Sequence, residues 1–287
     1  MTIRTLFHKI GANEDLNFLL TNRIPRLALT HFMGWFSQIK TPWVKNASIA
    51  VWRSFADLDL SEAKKTEFES LHDCFIRELK PGARTVDADP QAFTSPCDGI
   101  VGAMGQVVDG ALYQAKGFPY TLDDLLGHAD HADWRDGLFM TIRITSSMYH
   151  RFHAPCDGKL TQVKYFSGDT WNVNPIALKR VEKLFCKNER ALLRLEAGPS
   201  KYPVALVPVA AVLVASIRLH AIPELLHTRY TGPDEIACDT AFRKGEELGW
   251  FQHGSTIIVF VPNGFQWAAG LCEGTPIKMG QALFKLP

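Results

Sequence analysis

Hydrophobic residues in the first third of the chain recur with a helical period. Leu29, Phe32, Met33 and Phe36 fall at i, i+3, i+4 and i+7, which lines them along one face of a helix. Pro25 suits the first turn of that helix, where a missing N–H costs little. Thr41-Pro42 restarts the chain, and Val44, Ala47, Val51, Trp52 and Phe55 continue at similar spacing. Ser61 and Glu62 open a third stretch, predicted helical to about Leu79 and stopped by Pro81-Gly82. Residues 23–80 thus read as helical, with Trp35, Trp43 and Trp52 punctuating the apolar faces.

From about residue 84 the period shortens. Short apolar runs alternate with Asp98-Gly99, Asp109-Gly110, Asp157-Gly158, Gly168-Asp169 and Asn263-Gly264, and such pairs favour tight turns between strands. Val204–Val207, Val212–Ile217 and Thr256–Val261 are rich in β-branched residues and read as buried strands. The pattern predicts an α+β protein, with an N-terminal amphipathic helical segment over 1–83 and a mainly antiparallel β domain over 84–287. Pro96-Cys97-Asp98-Gly99 recurs as Pro155-Cys156-Asp157-Gly158. The repeat marks either two hairpin units of a duplicated β fold or a coincidence in turn-rich sequence.

A net charge of +1 gives no whole-protein case for nucleic-acid binding. The charge is unevenly spread, however. Residues 1–54 hold seven Lys and Arg against Glu14 and Asp15, a surplus of five, which suggests an anionic partner for that segment. Six cysteines without a CxxC pair or zinc-ligand spacing read as reduced thiols of a cytosolic protein. Neither a secretory signal nor an apolar run long enough to span a bilayer is expected.

Gly254-Ser255-Thr256 stands just before the run to Val261 and reads as a tight turn entering a buried strand. Alone it is a turn glycine with a capping hydroxyl. His150 and His153 lie three apart in SMYHRFHAP over 147–155. In a helix they would share a face; in an extended chain they would point to opposite sides and take different roles. By itself such a pair is most often structural, and no third metal ligand accompanies it. With Asp98 these groups suggest an Asp98–His153–Ser255 relay. An imidazole of reference pKa about 6.5 can take a hydroxyl proton near neutrality, and a carboxylate orients it. Gly254, with no side chain, would let Ser255 approach its carbonyl carbon.

Five segments, in this order, resemble bacterial phosphatidylserine decarboxylase: SPCDGI over 95–100, QAKG over 114–117, YHRFHAP over 149–155, FCKNER over 185–190 and FQHGST over 251–256. The Trp-rich N-terminus and Arg84-Thr85-Val86-Asp87 fit as well, so the resemblance runs from about Arg23 onward. It implies a proenzyme that cuts itself at Gly254-Ser255 into chains 1–254 and 255–287. These stay together as a heterodimer, with room for a homodimer of such pairs. Ser255 would attack the Gly254 carbonyl to give an ester, elimination would leave dehydroalanine, and hydrolysis would leave a pyruvoyl group as the covalent cofactor. Asp98 and His153 would act with Ser255 in the cut. His150 would serve the decarboxylation of phosphatidylserine to phosphatidylethanolamine and CO2 through a Schiff base, as proton donor to the substrate, with His153 as the alternative. Gln114 and Lys116 would line the head-group pocket. The basic, Trp-bearing helices would hold the protein to the anionic cytoplasmic face of the bacterial inner membrane as a peripheral protein, without a nucleic-acid partner.

Two points depart from or complicate that pattern. The family usually has Leu before Gly-Ser-Thr, whereas this chain has His253, a titratable group beside the cut. Asp157, in the second copy of the turn, rivals Asp98, although the family pattern favours Asp98. Other readings remain open at this level. A serine hydrolase would lack its G-x-S-x-G elbow here. A pyruvoyl decarboxylase of a soluble amino acid would leave the lipid-suited N-terminus without a purpose. A β-rich membrane-binding module would use Gly254-Ser255 only as a turn.

Overall fold

Thr256–Val261 is the centre of an eight-stranded antiparallel sheet in the computed structural model, which describes residues 13–114, 118–127, 131–213, 216–252 and 255–287. Across this sheet run β12 (Glu235–Phe242), β7 (Gly158–Phe166), β8 (Arg190–Ala197), β9 (Tyr202–Ala210), β14 (Ser255–Val261), β5 (Leu138–Ile144), β2 (Gly99–Gln106) and β16 (Pro276–Ile277). A four-stranded sheet orders β11 (Leu225–His227), β10 (Ser216–Leu219), β13 (Glu247–Phe251) and β6 (Arg151–His153). A three-stranded sheet orders β1 (Ala92–Thr94), β17 (Ala282–Lys285) and β15 (Gln266–Trp267), and β3 (Ala111–Tyr113) pairs with β4 (Pro119–Thr121). The α+β class with a β-rich antiparallel core is as the sequence predicts.

Ile257, Ile258, Val259, Phe260 and Val261 are all fully buried, because β14 is covered on both faces. Ile257 and Val259 pack with Met140, Ile142, Phe152, Ile217 and Phe251 toward the smaller sheets. Ile258 and Phe260 face α5 (Leu122–Leu126), α6 (Pro175–Leu178) and α7 (Leu184–Lys187). Each such side chain is worth about 1.5–3 kcal/mol of burial. The segment from 255 onward supplies β14 through β17, each paired with a strand of its own or of the preceding chain.

The repeated Pro-Cys-Asp-Gly turns lie against each other with reciprocal hydrogen bonds. Thr94 N–H donates to the Pro155 carbonyl at 2.8 Å, and His153 N–H donates to the Pro96 carbonyl at 2.7 Å. In each case the donor stands two residues before the proline of its own copy. Each turn is closed by a second, matching turn. Lys244 N–H donates to Asp157 Oδ1 at 2.8 Å and Met279 N–H to Asp98 Oδ1 at 2.9 Å. Gly245 N–H donates to Ala154 O and Gly280 N–H to Ser95 O. Gly245 and Gly280 have φ of +81° and +88°, where a side chain would be strained. The motif Arg243-Lys244-Gly245-Glu246 thus answers Lys278-Met279-Gly280-Gln281. The geometry is that of two related halves.

The N-terminal part differs from expectation in two places. Glu14–Asn22 forms a helix, α1, ahead of the stretch from residue 23 in which the helical period was read. Arg26–Phe36 (α2) and Pro42–Phe55 (α3) form as predicted. The third helix shrinks to Leu71–Phe75 (α4), capped by Ser70, because the chain folds back so that Ala63 bridges Leu79. Val212–Ile217 is likewise not one strand. The chain crosses there between sheets, Leu213 takes φ +84°, and β10 begins only at Ser216. Helix α2 is clamped to the β part by Arg26, which pairs with Asp169 at 2.6 Å and lies over the Trp171 ring. No helix among the described residues is long and apolar enough to cross a membrane. All six cysteines are free.

Candidate active site

Ser255 opens β14, its backbone paired with Ile144 of β5 on one side and Ala210 of β9 on the other. His253, Gly254 and Lys116 lie outside the described residues. Asp98 leads into β2, whose Ile100 pairs with Arg143, the residue before Ile144. Asp98 and Ser255 therefore stand at one end of the sheet with β5 between them, roughly 10 Å apart at two strand spacings.

His153 ends β6 and His150 stands just before that strand, and the two rings meet different neighbours. His153 Nδ1 is 2.9 Å from the Gly245 carbonyl. A carbonyl only accepts, so Nδ1 carries the hydrogen and Nε2 is bare, accepting from the Tyr149 hydroxyl at 3.0 Å. Burial lowers the His153 pKa, opposed by the Gly245 bond and by the charges of Glu247 and Asp98. His150 Nδ1 donates to the Met148 carbonyl at 2.9 Å, which leaves its Nε2 bare, buried and without a partner among the described residues. The ring lies on Phe75 with centroids 3.9 Å apart. Burial, helped by the nearby Arg77 charge, pulls the His150 pKa down to about 3. Arg77 also holds this segment in place by donating to the carbonyls of Ser147 at 2.8 Å and Met148 at 3.2 Å.

Asp98 is not hydrogen-bonded to His153. Its carboxylate is gripped by the Arg84 fork, with Nε to Oδ1 at 2.8 Å and Nη2 to Oδ2, besides the Met279 N–H. The side chains of Arg84 and Asp98 are only 7% and 10% exposed, so the pair is a buried one. Asp157 sits at the matching place in the other half, but its oxygen meets only the Lys244 N–H and the residue is solvent-accessible at the edge of the turn. Sequence reasoning noted Arg84 without giving it a role. The available signal was the rule that a buried carboxylate needs a cation.

Gln114 is fully engaged elsewhere. Its amide donates to the carbonyls of Leu178 and Val181, both at 2.9 Å, and its oxygen accepts from the N–H groups of Leu184 and Phe185. The side chain ties the 178–185 loop to β3 and has no hydrogen-bonding capacity left for a head group.

A cavity of about 690 Å³ opens beside this end of the sheet. Helices α2, α3 and α4 wall it with Phe36, Val51 and Phe75, and Ile144 and Ala211 bring it to the neighbours of Ser255. Phe75 touches both the cavity and the His150 ring. The residues present suit a reactive carbonyl at position 255. The strand is held from both sides, and two buried polar atoms of this region, Thr256 Oγ1 and His150 Nε2, have no hydrogen-bond partner among the described residues.

Known proteins resemble this chain over most of its length. Residues 71–285 match the family model described as phosphatidylserine decarboxylase, and residues 16–51 match a second model described as PSD. A phosphatidylserine decarboxylase proenzyme of Halorhodospira halophila is 39% identical over 273 residues, covering 92% of this chain and 91% of that protein. Proenzymes of the same name from Saccharophagus degradans and Brevibacillus brevis are 33% and 34% identical, over 95% and 92% of this chain. The chain belongs to the phosphatidylserine decarboxylase family.

Proposed function

We propose that this chain is a phosphatidylserine decarboxylase proenzyme in which Ser255 becomes a pyruvoyl group, His153 serves the cut and His150 serves turnover. The observation that carries the assignment is the pair of imidazole Nε2 atoms without a hydrogen, one on His153 at the end of β6 and one on His150 just before that strand. His153 Nε2 is the basic atom to take the Ser255 hydroxyl proton as oxygen attacks the Gly254 carbonyl. The Gly245 carbonyl fixes that tautomer, a task the relay expected of Asp98. Asp98 acts through its charge, which favours the imidazolium, and Arg84 keeps that charge in place. The chains 1–254 and 255–287 stay together because β14 is paired on both sides.

The pyruvoyl ketone supplies an electron sink for the bond electrons left when CO2 departs. His150 manages a proton beside it. At rest its Nε2 carries none, so the proton it delivers to the substrate carbon has to reach it during turnover. Burial makes the imidazolium a strong acid for that delivery. The 1–83 segment is the membrane-associating part. Leu19, Leu20, Phe32, Trp35, Trp43 and Phe55 are each at least half exposed on its helices, apolar side chains suited to the cytoplasmic face of a bilayer.

Paired measurements on two variants test the division of labour. His153→Ala should stay uncut. His150→Ala should release fragment 255–287 yet evolve little CO2 per fragment. A His150→Ala enzyme as active per fragment as the parent would overturn the assignment.

A further inference from the structure

The cavity walls are apolar except at a few points, and among the described lining residues Arg143 is the only charged side chain. Arg143 precedes Ile144, the partner of Ser255, and its own partner across the strand is Thr256. Its guanidinium has no hydrogen bond or ion pair among the described residues. The side chain is partly buried, and burial disfavours its charge. Arginine does not give up its proton in proteins, so a desolvated guanidinium without a counter-anion costs stability. Such a cost is offset when a ligand brings the anion. Thr256 Oγ1 on the adjacent strand is buried and has no partner among the described residues either.

We propose that Arg143 receives the phosphodiester of the lipid substrate and so sets the distance of its head group from residue 255. The inference rests on the decarboxylase reading above. A lipid whose acyl chains lie against Phe36, Val51 and Phe75 carries its phosphate between those chains and the amine. Arg143 stands in that interval, beside the strand that residue 255 opens. The planar fork of arginine matches two phosphate oxygens, and Asn172 on the cavity wall offers a further amide donor. The substrate carboxylate is the poorer partner, because an ion pair to it would be strongest before CO2 leaves and would hold the reaction back. Arg143 is therefore a positioning residue, and no bond is made or broken at it.

The test uses the uncut Ser255→Ala chain, with Arg143 intact or changed to Met or Lys. Binding of short-chain phosphatidylserine and phosphatidylethanolamine is measured by calorimetry. Arg143→Met should weaken both lipids about ten- to hundredfold, and Lys should recover part of the loss. In the cut enzyme, KM should rise by a similar factor while kcat per fragment 255–287 changes less than about threefold. The thermal midpoint of unliganded Arg143→Met should equal or exceed that of the parent. Unchanged affinity for both lipids would overturn the proposal. So would loss of phosphatidylserine binding alone, which would assign the carboxylate, or a lowered midpoint, which would make Arg143 structural. If the Ser255→Ala parent binds neither lipid and the wild-type protein releases no CO2, the decarboxylase reading itself fails.

Discussion

Replacing Arg84 by Met should destabilise the protein by about 3–4 kcal/mol at pH 7, through Asp98. The substitution keeps most of the side-chain volume and removes the fork that makes two charge-assisted bonds to the carboxylate. Both side chains are nearly excluded from water, so solvent cannot replace the lost cation. Removing one member of a buried pair typically costs 3–5 kcal/mol. The loss also has a ceiling. A stranded carboxylate can take up a proton instead, and for an ordinary carboxyl of pKa about 3.9 this costs about 4 kcal/mol at pH 7. The second partner of Arg84, Glu62, is 40% exposed and adds well under about 1 kcal/mol. The deficit should therefore shrink by about 1.4 kcal/mol per pH unit as pH falls toward 4, because a proton then replaces the cation. Urea unfolding of Ser255→Ala chains, which stay in one covalent form, measures it at pH 7 and pH 5. Arg84→Met combined with Asp98→Asn should recover at least half of the loss. A single-variant loss below about 1 kcal/mol, or no recovery in the double variant, would refute the reasoning.

Two further outcomes follow from buried groups and exposed rings. Burial pushes the Glu189 carboxyl up to about 8, so it folds neutral, and its contribution is present below pH 4.5 and lost as pH rises toward 8. His150, held at about 3, acts in the opposite sense and costs stability as pH falls from 6.5. Glu189→Gln should flatten the alkaline limb of a stability–pH profile while leaving the acid limb, and parallel profiles from urea unfolding would contradict this. Trp35 and Trp43, at 64% and 75% exposure, should carry membrane contact. Changing both to Asp should weaken co-sedimentation with anionic vesicles by roughly tenfold or more without altering the yield of fragment 255–287; undiminished binding would place the contact elsewhere.

The β-branched run after Ser255 made its strand legible, because five consecutive apolar residues require cover on both faces. The turn Asp109-Gly110 was legible for a local reason: both residues take positive φ and close Val108 onto Ala111. Asp98-Gly99 and Asp157-Gly158 were misread as hairpin turns. They instead lead into β2 and β7, since their carboxylates accept from turns far along the chain. Those partner turns share only a basic residue, a glycine and a Gln or Glu, too little to stand out as a repeat. The helix expected over 61–79 had the right composition, but the Ala63–Leu79 bridge overrode local preference. Asp98 and the two histidines could be picked from sequence, whereas their hydrogen-bond partners could not. Gly245 and Arg84 reach the site only through tertiary contacts. Arg143 was invisible for a related reason, because an arginine in a strand reads as solvent-facing until a cavity is seen beside it.

Intact mass of the purified protein tests the central claim most directly. The wild-type chain should give two masses, residues 1–254 and residues 255–287, the smaller lighter than the corresponding seryl peptide by one ammonia and shifted by hydroxylamine. Ser255→Ala should give the single full-length mass and release no CO2 from phosphatidylserine. A wild-type chain that remains whole and still decarboxylates phosphatidylserine would contradict the account.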